Sequence, residues 1–202
     1  MQALETFTTS RVTRVAVALA LLLVAGAALA HPGHQGTSHS GFASGFAHPL
    51  LGLDHLLAMA AIGLWSLRQS NPMRRGTPWL AAAGMLFGAG LAWGGLVVPS
   101  VETGIALSVL LAGVLIAAVV KLPTLPGGLL VVVFMLFHGH AHASEIPYGA
   151  SMMAYLAGFL SATLVITYAS RVLGGYLMAR ENRIVRALGV AIALVGGFFT
   201  LA

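Results

Sequence analysis

The chain has no cysteine and only five acidic residues among 202. Without cysteine there is no disulfide framework, thiolate metal site or redox pair, so any metal chemistry must use imidazole, carboxylate, carbonyl or thioether. Charge of either sign is scarce: 7% of residues are charged, 58% are hydrophobic, and mean hydropathy is +0.94. That composition excludes an ordinary soluble domain. The net charge is +5, but the basic residues are scattered in short stretches between apolar runs. This is a pattern of membrane orientation and not of nucleic-acid binding. There is no Walker-type phosphate loop, no HExxH and no nucleophilic Ser or Cys constellation, which removes ATP-driven and hydrolytic readings.

What the chain does contain is a series of apolar runs approaching the roughly 20 residues needed to cross a bilayer, with room for about six. The N-terminus reads as a targeting segment: Arg11 and Arg14, an apolar core from Val15 to Val24, then Ala28-Leu29-Ala30 as an A-x-A cleavage site. Cleavage would leave His31 first; an uncleaved anchor is the alternative. The sequence therefore predicts an all-α polytopic membrane protein, a six-helix transmembrane bundle after a cleaved signal peptide. Its parts are residues 1–30 (signal peptide), 31–46 (a His-rich, disordered periplasmic tail) and 47–202 (the membrane domain).

The expected spans run from about Ala47 to Leu67, Trp79 to Val98, Gly104 to Val120, Gly127 to Ala143, Ser151 to Leu173 and Ala187 to Leu201. Alternating them from an outside N-terminus puts all ten basic residues inside, as the positive-inside rule requires for the cytoplasmic (inner) membrane. The mature N- and C-termini are then both periplasmic. Gly84-x-x-x-Gly88 and Gly90-x-x-x-Gly94 are expected to let helices approach closely. Three spans on each side of Lys121–Pro126 also fit an inverted repeat, although no sequence repeat is evident.

Polar chemistry is concentrated in two stretches, HPLLGLDH (His48–His55) and FHGHAHASEIP (Phe137–Pro147). Together they hold five of the eight histidines and two of the five acids. Ionisable groups at membrane depth are costly and usually mark an ion path or relay. His55 lies seven residues after His48, about 10 Å deeper on a straight helix, too far to share one ion. Gly52 leaves room for a local bend. His138 and His142 are i and i+4, a spacing that lets two imidazoles hold one ion, and Glu145 follows near the same face. His140 is rotated by roughly 160° and reads as a supporting or structural residue. Asp54-His55 and His138-His142 reach comparable depth, so two helices can present a mixed nitrogen and oxygen site. Packing histidines, a haem between two histidines and a catalytic metal site are the other readings.

HPLLGLDHLLAM and FHGHAHASEIP resemble the two signatures of the hydrogenase/urease accessory nickel permeases, the HupE/UreJ family, and the resemblance covers the whole chain. Ala143 stands where that pattern commonly has Gly, which removes no ligand. The resemblance implies a secondary or facilitated transporter for Ni²⁺, or Co²⁺, supplying metalloenzyme assembly, with no resident cofactor and no enzymatic activity. It places ligand roles on His48, Asp54, His55, His138, His142 and Glu145. Glu102, His140, and His31 and His34 of the tail are weaker candidates, for the entrance, for support and for metal capture. Imidazole independently suits Ni, Co, Zn and Cu(II), whereas Ca²⁺ and Mg²⁺ want nearly all-oxygen sites. The expected partners are thus a divalent ion and the lipid bilayer, with no nucleic acid. The rival reading is a membrane-bound metal-binding accessory or sensor that does not move the ion.

Overall fold

The computed structural model describes residues 41–146, 149–180 and 182–201; the expected signal peptide, His31 and His34 lie outside them. The described residues form seven α-helices: α1 Gly41–Leu51, α2 Leu53–Ser66, α3 Asn71–Trp93, α4 Val101–Ala117, α5 Thr124–Ser144, α6 Met152–Arg180 and α7 Asn182–Leu201. By length and composition three of them, α5, α6 and α7, can cross a membrane, or four segments if the bent pair α1–α2 is one broken span. That is fewer than the six spans expected. Helix α4 is apolar but only 17 residues long, and the 23 residues of α3 are diluted by Asn71, Pro72, Arg74 and Arg75.

Three boundaries differ from the sequence expectation. The single helix expected from Ala47 is two helices, starting at Gly41 and meeting at 77° across Gly52. Helix α3 begins inside the stretch read as an arginine loop. Ser70 caps it by accepting from Met73 N–H at 3.4 Å, and Pro72 sits in the first turn, where a missing N–H costs nothing. Arg183 and Arg186, also expected in a loop, lie in the first turns of α7.

The closest helix pairs are α3 with α5, α4 with α7, and α1 with α6. Each is an approach over glycine. A side chain on Gly88 or Gly139 would run into the facing backbone of α5 or α3, at Leu136 or Met85. Gly113 and Gly196 meet Ala193 and Leu110 across α4–α7, and Gly45 and Gly158 meet Tyr155 and Phe42 across α1–α6. Gly84 and Gly88 thus pack as expected from their spacing. Gly90 has open space around it and Gly94 meets only carbonyls of its own chain, so that second motif makes no helix contact. Exchanging α1–α2 with α5, α3 with α6 and α4 with α7 carries this set of pairs onto itself.

The arginine-bearing ends of the helices gather at one end of the bundle. There Arg68 donates to Asn182 Oδ1 (3.1 Å) and Arg186 Nε to the Ala117 carbonyl (3.0 Å). Gln69 and the Trp65 indole both donate to the Val120 carbonyl, at 3.1 and 3.0 Å. The Arg186 bond satisfies the last carbonyl of α4, which would otherwise be orphaned at a helix end, and the other two fix the chain just beyond it. The histidine motifs lie at the opposite end, where α1 turns into α2 and α5 stops.

Candidate metal-binding site

The break at Gly52 gives the site its shape. The helix hydrogen bonds persist through it, Gly52 N–H to His48 O (3.0 Å) and Leu56 N–H to Gly52 O (2.9 Å), while Gly52 itself is extended at φ −79°, ψ 109°. Asp54, in the first turn of α2, accepts from the His55 backbone N–H at 2.8 Å, a favourable place for negative charge at a helix N-terminus. A Cβ on Gly52 would sit 3.1 Å from His55 Nδ1 and 3.2 Å from Asp54 Oδ1. Glycine is needed here for room beside that pair.

The bend overturns the straight-helix expectation that His48 and His55 cannot share an ion. Their ring centroids are 5.9 Å apart, and His142 from α5 comes within 4.7 Å of His48 and 4.3 Å of His55. Each of the three offers a ring nitrogen, and these atoms all lie within 4.8 Å of one another. Three donors about 2.1 Å from one ion lie on average at most about 3.6 Å apart, so the rings must close by up to about 1 Å to hold one.

Asp54 Oδ1 lies 2.6 Å from His55 Nδ1. With Nδ1–H donating to the carboxylate, the lone pair is on Nε2, which is buried without a partner. A carboxylate that fixes the tautomer and orientation of a ligating imidazole is the usual support of such a ligand. Both ring nitrogens of His142 are likewise buried and unpartnered, while its ring stacks on Phe159 at 5.1 Å. On the more exposed side, His48 Nε2 is 2.9 Å from Glu145 Oε2. The His48 imidazole holds the Glu145 carboxyl below the ordinary carboxylate range. That contribution is present above the ordinary range and is lost as pH falls through the lowered value.

His138 is brought close but not into the trio. Its ring is 5.0 Å from His55, Nδ1 donates to the Phe134 carbonyl at 2.9 Å, and Nε2 is buried and unpartnered. The donor atoms that lie within 4.8 Å of one another are those of His142 and the two histidines of the first motif; His138 is outside that group. His140 points elsewhere, its Nε2 3.1 Å from the Leu96 carbonyl and 3.4 Å from Val98 N, where it ties down the chain after α3. Glu102 is exposed in the first turn of α4 and takes part in neither ion pair seen among the described residues.

Tyr155 and Phe159 were missed from sequence. Both are fully buried, Tyr155 lies 6.3 Å from the His48 ring, and its hydroxyl has no partner. The signal was present as an aromatic pair at i, i+4 near the start of α6, a spacing that places both rings on one face.

A chain from Rhizobium leguminosarum bv. viciae, "Protein HupE", is 36% identical over 188 residues, covering 93% of this chain and 95% of that one. No solved structure matches. The model of the HupE / UreJ protein family matches residues 19–199, so this helical membrane protein belongs to the HupE / UreJ family.

Proposed function

We propose that the chain carries Ni²⁺, or Co²⁺, across the cytoplasmic membrane into the cell, with His48, His55 and His142 as the first ligands of the ion. The observation that carries this reading is the convergence of three imidazole donors within 4.8 Å, two of the rings buried, at the 77° break of an apolar helix pair. Family membership supports the substrate class. Asp54 and Glu145 place two carboxylates against neutral imidazoles, so a divalent cation balances the charge of the enclosure, whereas ions left unpaired there would be costly. Asp54 acts through His55 by holding its Nδ1–H, and Glu145 acts at the mouth beside His48. Three imidazoles suit Ni²⁺ and Co²⁺ and disfavour Mg²⁺ and Ca²⁺.

In this reading the bent pair α1–α2, together with α3, α4, α5, α6 and α7, makes six crossings. Even the 17 residues of α4 reach about 26 Å, within the accepted range for a span. The arginine end faces the cytoplasm, and the histidine end opens outward. No ATP is needed: a divalent cation moving toward a negative interior gains about 4.6 kcal/mol per 100 mV, twice the single-charge value. That supports roughly a thousandfold accumulation.

The test is uptake of nickel and cobalt by sealed membrane vesicles. Asp54→Asn removes the carboxylate charge with little change of shape and is expected to abolish uptake while the protein remains in the membrane. Normal uptake by that variant at limiting nickel would refute the role of the pair. Metal bound without flux in the wild type would favour the accessory or sensor reading.

A further inference from the structure

One turn from the histidine trio, toward the arginine end, a second set of donors is carried on four helices. Met85 of α3 lies against the α5 turn that carries both inner histidines, since a side chain on Gly139 would collide with the Met85 backbone. Its sulfur accepts from Thr163 Oγ1 of α6 at 2.9 Å. Thr163 follows Phe159, which stacks on His142, by four residues, or about 6 Å along the helix. Met59 of α2 follows His55 by the same interval, and Met135 precedes His138 by three. Met59, Met85, Met135, His138 and Thr163 are all fully enclosed.

Two atoms here are left wanting. His138 Nε2 has no partner, and neither has the hydroxyl of Thr167, one further turn along α6 and also fully buried. Thr163 has a single proton, shared between the Met85 sulfur and the Phe159 carbonyl at 2.8 Å, so the sulfur is only weakly engaged and keeps a lone pair for an ion. Buried polar atoms are nearly always satisfied; an unpartnered imidazole on α5 and an unpartnered hydroxyl on α6 call for a partner.

The geometry points to a second, inner cation station, in which His138 Nε2 and the Met85 thioether are ligands, Thr163 orients the sulfur and Thr167 takes the ion onward. It rests on the transport reading, for which it supplies the step after the trio. Imidazole with thioether is a softer set than the outer trio with its two carboxylates, so the inner station takes borderline and soft d-block cations and rejects Mg²⁺ and Ca²⁺. A cation passed from three imidazoles to one imidazole and a thioether is bound more weakly at the second station, which lets it leave.

The experiment loads the purified full chain in lipid nanodiscs with Ni²⁺ and reads its ligands by X-ray absorption, alongside equilibrium dialysis and uptake into proteoliposomes. Met85→Leu conserves volume and should be tolerated; Met153→Leu, exposed on α6, is the control. Expected are a sulfur neighbour of nickel at high loading, its loss together with one bound equivalent in Met85→Leu but not in Met153→Leu, and uptake by Met85→Leu reduced about tenfold, the scale of losing a supporting group at a metal site. No sulfur at any loading, or a sulfur signal that survives Met85→Leu, overturns the inner station. Either result leaves transport itself to the flux measurement, so the two readings fail separately.

Discussion

His48 and His55 meet because the chain bends by 77° at Gly52. The Asp54–His55 pair fills the space that a methyl group at 52 would claim, so Gly52→Ala should push the carboxylate off the His55 ring without unfolding the helices. The expected result is a normal amount of protein in the membrane and a nickel affinity about tenfold weaker, read by dialysis against the wild type. Unchanged affinity would mean that the pair tolerates the shift and does not position His55. The three histidines of α5 separate in the same way. His142→Ala should eliminate binding at the trio, whereas His140→Ala should leave affinity intact and cost only about 1 kcal/mol of stability through the lost bond to the Leu96 carbonyl. Equal losses of binding at both positions would indicate general structural damage. The identities of the candidate ligands were legible in the sequence, but their grouping was not. Counting along a straight helix set His48 apart from His55, and the i, i+4 rule joined His138 to His142, because neither contains the 77° bend at Gly52.

Glycine spacing sets how closely the helices approach. Gly88 and Gly90 are two residues apart on α3, yet only Gly88 faces the α5 backbone. Gly88→Ala should destabilise the bundle by about 1–3 kcal/mol, the cost of overpacking. Gly90→Ala should be neutral or stabilise by up to about 1 kcal/mol, because alanine is the better helix former. Thermal unfolding of the two variants in one detergent checks the pair, and a lower midpoint for Gly90→Ala than for Gly88→Ala would contradict the packing described. Sequence spacing suggested both motifs equally, since it reports small residues and not the direction in which they point. The apolar runs themselves located α5, α6 and α7 well. The arginines misled at Ser70–Pro72, where a cap lets the helix include a charged turn, and at Asn182; short loops and long helix ends look alike in composition.

Across the molecule, the arginines and the candidate metal ligands are segregated to opposite ends, the imidazoles lying with two carboxylates. An ion arriving at the histidine end competes with protons for the same lone pairs. Nickel uptake should therefore fall as the external medium is acidified from pH 8 to 5 at constant potential. A steady rise instead would indicate proton symport, with Asp54 or Glu145 carrying the proton. Family, helical class and the two motifs were all readable from the chain. The number of helices and the meeting of α1, α2 and α5 at one point were not, because both depend on tertiary packing at one glycine. The central claim is that the trio passes a divalent cation through the membrane, and the most direct test is the initial rate of nickel uptake into proteoliposomes under an imposed potassium diffusion potential. The rate is expected to rise with a negative interior, to collapse when the potential is removed, and to vanish in His142→Ala. Flux no greater than in empty liposomes at any potential, from protein that still binds nickel, would contradict it.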